Sequence, residues 1–322
     1  MPTQIDFPST GPWNMTRYFM WHEDAVFGDL DTSSPAYFAW HGIQKIDLRS
    51  IVDYDLFYEA GSGFTYYRAV DKAHNFEINV DFGISEVTST SMLTWATTLP
   101  NFGTPANTLA KARTFVIARK VNVAGAMTET FQLLRHFMPS ALEITGQEST
   151  VTAGRMTLAG RLISTPTSTN PLTTPTFPAL GSISLPIWRH IDAGNSAITH
   201  NAISYPITQW TARWDYGLAI DRVYGSDLVD AITLASLKAS GSFVSKSFKN
   251  LVLTSYLESA TLGALQTNKY AAVMKLKSGS SKINYTDLVL TNLGNMLEFG
   301  GQMASEDALD FEAPVATIDA TG

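Results

Sequence analysis

The stretch IVDYDLFYEAGSGFTYYRAVDKAHNFEINVDF, residues 51–82, carries the reading of the fold. Residues 51–58 and 64–70 are rich in aromatic and β-branched side chains, which suit a pleated, half-buried surface. Between them stands Gly61-Ser62-Gly63, where glycine can take the positive φ that a tight reversal requires. The pair predicts a long β-hairpin with a glycine turn. Side chains two apart on a strand point the same way, so Asp53, Asp55, Phe57 and Glu59 share one face and predict a solvated or lumen-facing acidic edge. Downstream, Phe76-Glu77-Ile78-Asn79-Val80-Asp81-Phe82 has period two with one apolar face, the pattern of a half-buried strand.

The same signals recur outward from this stretch. Leu309-Asp310-Phe311-Glu312-Ala313 alternates in the same way, and a second hairpin is predicted from residues 270–276 and 283–290 about a turn at Ser278-Gly279-Ser280. Helix signals are few, at 88–97 and 253–262, which predicts one short flanking helix for each half of the chain. Hydrophobic residues make up 45% and charged residues 16% of the 322, too apolar for a disordered chain and too lightly charged for a solvated helical rod. The fold class is therefore mainly β. The Thr/Ser/Pro-rich stretch STPTSTNPLTTPTFPALG, residues 164–181, cannot hold a ladder and reads as a linker. It predicts two domains, 1–163 and 182–322.

The two halves echo one another. Leu142-Glu143-Ile144-Thr145-Gly146-Gln147 returns as Leu297-Glu298-Phe299-Gly300-Gly301-Gln302, an offset of 297 − 142 = 155. Ser91-Met92-Leu93-Thr94-Trp95-Ala96-Thr97 returns as Ser255-Tyr256-Leu257-Glu258-Ser259-Ala260-Thr261, an offset of 255 − 91 = 164. The order agrees, and the difference of 164 − 155 = 9 residues is assigned to the loop at 100–110. One element lacks an echo: residues 200–223 are interrupted by Pro206 and Gly217. Either the second half has lost the long hairpin, or the alignment fails upstream of Ser255.

Chemistry-bearing patterns are sparse. A net charge of −7 argues against a grip on nucleic-acid phosphates, which takes clustered Lys and Arg. Without cysteine there is no thiolate metal site, disulfide or Cys nucleophile. The six histidines show no metal-helix spacing; His22 beside Glu23 and Asp24 reads as a solvent-facing turn, and His136 as a hydrogen-bonded strand residue. No nucleophile elbow, phosphate loop or dinucleotide fingerprint is present, so no catalytic residue, cofactor or metal is expected and the chain reads as a non-enzyme. The opening MPTQIDFPSTGPW has no basic-then-apolar run, and no apolar stretch reaches the roughly 18 residues of a membrane span, so synthesis in the cytoplasm is expected. Trp13, Trp21, Trp40, Trp188, Trp210 and Trp214 lie mostly in loop-like stretches near the start of each half. Such aromatics would anchor a subunit interface or, in the competing reading, stack on glycan as in a two-domain receptor-binding or virion decoration protein.

Taken together, the chain resembles the tail tube (major tail) proteins of long-tailed viruses, in a version with two fused tube domains. The likeness rests on the opening at residues 18–31 with Phe38-Ala39-Trp40-His41-Gly42-Ile43, the Gly61/Gly63-turned hairpin, and the ending at 283–318 with its Gly300-Gly301-Gln302 break. The resemblance implies two tandem β-sandwich or open-barrel domains, with the long hairpin reaching between rings. Six single-domain copies of such a protein join inner strands into a closed barrel, so three copies of this chain would give a trimeric, pseudo-hexameric ring. Rings would stack head to tail into a hollow tube. The implied partners are the chain itself, the tape measure, the tail terminator and distal tail or baseplate proteins. Viral DNA would pass without specific binding. The implied location is the virion tail, assembled in the host cytoplasm.

Overall fold

The computed structural model of the chain describes residues 14–23, 38–40, 42–58, 66–84, 92–97, 112–123, 126–147, 152–169, 196–200, 203–222, 228–245, 270–275, 282–295, 307–313 and 315–319. The hairpin expected around Gly61 and Gly63 is formed by β3 (Ile43–Tyr58) and β4 (Tyr66–Gly83), which pair antiparallel from Ile43↔Phe82 to Tyr58↔Tyr66. It extends further than the sequence indicated, because the alternation at 76–82 continues the returning strand. Before it lie β1 (Asn14–Glu23) and β2 (Phe38–Ala39); after it come α1 (Met92–Thr97), β5 (Arg113–Val123), β6 (Ala126–Gln147) and β7 (Ala153–Ile163). Of the helix expected at 88–97, the described part, Met92–Thr97, is helical, while the one expected at 253–262 lies outside the described residues.

The remaining strands are β8 (Ser196–His200), β9 (Ile203–Ile207), β10 (Gln209–Arg222), β11 (Val229–Ser245), β12 (Tyr270–Lys275), β13 (Lys282–Asn295), β14 (Asp307–Ala313) and β15 (Val315–Asp319). All fifteen belong to one antiparallel network, so the fold is mainly β. Of the two alternatives for residues 200–223, loss of the long hairpin is excluded: β10 and β11 form one, from Gln209↔Val244 to Arg222↔Val229. Its two apparent breakers are accommodated. Pro206 sits in β9, which among the described residues pairs only β8 and lies at the end of the strand order, where a missing donor is tolerated. Gly217 stands at a bulge in β10, where an added Cβ would collide with the Ser236 hydroxyl.

The pairings repeat. In the first half the order is β3-β4-β7-β6-β5-β1-β2; in the second it is β10-β11-β14-β13-β12-β8-β9. The repetition reaches individual bulges. Arg113↔Phe137 is followed by Phe115↔Leu134, which leaves an extra residue on β6, and His136 there has φ 55°. Tyr270↔Leu288 is followed by Ala272↔Tyr285, and Asp287 on β13 also has φ 55°. A second bulge follows in each strand, between Pro139 and Ala141 and between Leu290 and Asn292. Bulges bend a strand, and each long strand here serves three neighbours: β6 pairs β5, β7 and β10, and β13 pairs β12, β14 and β15.

These bulges fix the true offset of the two strands at 287 − 136 = 151, so Leu293 stands where Leu142 stands. The offset of 155, which matched Leu142, Glu143, Gly146 and Gln147 to Leu297, Glu298, Gly301 and Gln302, is four residues out of step with the strand registers. Carrying the registers across the sheet, Leu142 pairs Met156, Met156 pairs Val80 and Val80 pairs Ile46. In the second half Leu293 pairs Leu309, Leu309 pairs Phe243 and Phe243 pairs Trp210. Ile46 therefore corresponds to Trp210, Arg49 to Arg213 and Ser50 to Trp214.

A single buried cluster fills the space between the layers and runs through both halves. Trp40 meets Phe82 of β4 and Phe115 of β5, at ring separations of 5.2 and 6.4 Å, so the two layers face one another. In the second half Tyr285 of β13 packs edge-on to Phe311 at 4.8 Å and stacks on Trp214 at 6.5 Å. Residues 164–167, at the start of the expected linker, turn back onto β6: Thr167 and Phe131 exchange both backbone hydrogen bonds. Residues 170–181 of the expected linker, with the proposed boundary at residue 181, lie outside the described residues.

Candidate assembly surface

Strand alternation gives β3, β4, β7 and β10 one buried and one polar face; on β10 every second residue from Trp210 to Tyr216 is buried. The buried set Ile78, Val80, Leu142, Ile144, Met156, Leu158, Trp210 and Trp214 leaves Lys45, Asp81, Arg155, Glu143 and Arg213 on the opposite side. The registers place these five in one row across five strands: Lys45↔Asp81↔Arg155↔Glu143↔Arg213. The signs run plus, minus, plus, minus, plus. Directly opposed side chains are the interacting unit of a sheet, and here they do interact. Arg155 Nε donates to Asp81 at 2.7 Å, and Arg213 donates to and pairs with Glu143. Further pairs extend the pattern on both sides, Arg49 with Asp47 at 2.9 Å and Lys238 with Glu312.

The electrostatics follow from this packing. The hydrogen bond from Arg155 holds the Asp81 carboxyl below its ordinary range; partial burial opposes the shift, and the charges of Arg155 and Lys45 add to it. Arg155 and Arg213 are each raised, chiefly by the hydrogen bond to their carboxylate partner. Because the guanidinium ends remain largely in water, each pair adds little stability. What the row contributes is local charge balance. Between β3, β4 and β7 the polar face forms an open trough of about 440 Å³ lined by Lys45, Asp47, Arg49, Glu77, Asn79, Asp81, Arg155 and Thr157.

The sequence-predicted site residues divide into three groups. Asp53, Asp55 and Phe57 lie on β3 opposite Ala73, Val70 and Arg68. Glu59, Gly61 and Gly63, with the signature residues Leu297, Glu298, Gly301 and Gln302, lie outside the described residues. Leu142, Glu143, Gly146 and Gln147 meet at one place, the last residues of β6. There they pair with Trp214, Arg213, Trp210 and Gln209 of β10, and this ladder joins the first half to the second. Gly146 is required there: a Cβ would come within 2.5 Å of the Trp210 ring.

Other aromatics do not behave as the sequence suggested. Trp210 and Trp214 are 0% and 1% exposed, core residues of β10 rather than surface anchors, because every second residue of that strand faces inward. Trp95 of α1 is also buried, under the Arg113 guanidinium, whose centre lies 4.5 Å from the ring. His22 sits in strand β1 opposite Thr114, not in a turn. His136 is buried in β6, and its backbone N–H donates to Thr114 Oγ1 at 3.3 Å. The charge row has a signal in the sequence: Lys45, Asp47 and Arg49, then Glu77, Asn79 and Asp81, occupy alternate positions. Which strand would lie beside each could not be read from those runs.

Among the described residues, no three His, Asp or Glu side chains come together as a metal site. No helix among them is long and apolar enough to cross a membrane. No protein-family model and no curated protein matches the chain.

Proposed function

We propose that this chain is a structural virion protein that polymerises into a hollow tail tube, in rings of three copies that stack head to tail. The observation that carries this reading is the splice between β6 and β10. Two runs of the same strand order, read here as tandem β-sandwich domains, are joined edge to edge into one continuous sheet. A unit that already joins to its own duplicate by strand pairing is suited to go on joining to further copies. Such head-to-tail joining closes into rings where the rotation permits. Three two-domain copies then give a ring of pseudo-sixfold symmetry.

The polar face of the continuous sheet suits the wall of a conduit. Its cations and anions alternate and neutralise one another locally, so the surface neither grips phosphates through clustered cations nor presents a single-sign field. Viral DNA would pass without specific binding. The partners that follow are the chain itself, the tape measure, the tail terminator and the distal tail or baseplate proteins, in a virion tail assembled in the host cytoplasm. The competing glycan-binding reading depends on exposed aromatics, and burial removes Trp210 and Trp214 from that set.

Negative-stain electron microscopy of concentrated protein tests the proposal. Hollow tubes with a regular axial repeat and three subunits per ring are the expected result. Compact particles that neither close into rings nor stack, at any concentration, would overturn it.

A further inference from the structure

The strand β10 has a neighbour on each side, β11 and the end of β6. Its counterpart β3 has only β4 among the described residues. The difference is visible in burial. Trp210, Ala212 and Trp214 are fully buried, whereas Ile46 and Leu48 at the matching positions are only partly covered and Ser50 is exposed. Beside them Ile51 is a large apolar residue with 45% of its surface open. A long strand edge left open is a template for another strand, and soluble proteins cover or blunt such edges.

The same molecule also supplies the matching acceptor. The end of β6 receives β10 at residues 141–147, on the side away from β7. By the offset of 151, the corresponding part of β13 begins at Asn292. Residues Asn292 to Asn295 pair with β14 on one side, and among the described residues no strand lies on the other.

We infer that β3 of one copy adds to the end of β13 of the next, in the register that β10 takes on β6. Arg49 then lies opposite Gly294 as Arg213 lies opposite Glu143, and Ile51 lies opposite Asn292 as Asp215 lies opposite Ala141. The occupant of the open edge is a second copy of this chain. The argument for it is continuity: the contact extends the internal sheet by the rule that already joins its halves. This rests on the ring reading above, and adds to it which edges meet and in what register. Repeated around the ring, the contact leaves neither edge open.

The chain has no cysteine, so engineered pairs report cleanly. Directly opposed residues on neighbouring strands have Cβ atoms roughly 4.5–5.5 Å apart, near the range that a disulfide bridges. The in-register pair is Arg49→Cys with Gly294→Cys; Ile51→Cys with Asn292→Cys is a second, independent pair in case the first disturbs folding. Each variant is assembled under reducing conditions, checked for rings by electron microscopy, oxidised, and run on a non-reducing gel. Expected are covalent ladders ending at the trimer for both pairs, with each single substitution and the slipped pair Ser50→Cys with Gly294→Cys remaining monomeric. Rings without cross-links from either pair, or with cross-links from the slipped pair, overturn this register and leave the ring reading standing. Absence of both rings and cross-links overturns both.

Discussion

Trp214 gives the sharpest test of how the two halves are held together. It lies on β10 directly opposite Leu142 of β6, is 1% exposed, and stacks on Tyr285, which packs on Phe311. Its replacement by alanine removes an indole burying about 200 Å². At roughly 25 cal/mol per Å² that is about 5 kcal/mol of transfer free energy, an upper estimate because the unfolded chain already hides part of its surface. Measured Trp→Ala losses in cores fall at about 3–5 kcal/mol, and a loss of ~4 kcal/mol is expected here. This is a large share of the roughly 5–15 kcal/mol that holds a typical domain folded. Urea unfolding followed by far-ultraviolet circular dichroism would report it as a lower midpoint at an unchanged slope. Because one buried cluster runs through both halves, the whole transition should move together. The matching substitution Ser50→Ala, at the exposed equivalent position on β3, should change stability by less than about 0.5 kcal/mol. A Trp214→Ala loss below about 1 kcal/mol, or two transitions of which only one moves, would refute the continuous core.

Two further outcomes follow from the charge row. Asp81 is held below its ordinary range chiefly by the Arg155 hydrogen bond, so the stability it adds is present above the unfolded carboxylate pKa of about 4 and is lost as pH falls through the depressed folded value. Arg155→Ala should return the Asp81 titration, followed by NMR, toward about 4. Because Arg155 is two-thirds exposed, neutral-pH stability should fall by only about 0.5 kcal/mol or less, and an unmoved Asp81 titration would contradict the assignment. At the splice, Arg213→Glu sets two carboxylates opposite each other and should destabilise by about 0.5–1 kcal/mol in low salt; adding Glu143→Arg should restore most of it. A double-mutant cycle with no coupling between these positions would show that the pair plays no part in joining β6 to β10.

The sequence by itself determined several of the strands, because alternation is a local property written within a few residues. The run from Phe76 to Phe82 announced the inner end of β4, and the glycine turn announced the pairing of β3 with β4. The mainly-β class followed from those runs. Neighbours far apart in the chain could not be read this way. Nothing in the alternation of Gln209 to Asp215 says that its partner is the end of β6 rather than a β1-like strand, so Trp210 and Trp214 looked like loop aromatics until the sheet enclosed them. Pro206 and Gly217 looked like breaks for the same reason: an edge position and a bulge are tertiary facts. The repeat was legible in outline but four residues out of step, since a short motif of common residue types can match at more than one offset, and only the hydrogen-bond registers, with their paired bulges at His136 and Asp287, give the offset of the strands. Local periodicity thus fixes which residues face inward on each strand. Which strand lies alongside, and in what register, is decided only when distant segments compete to satisfy the same open edge.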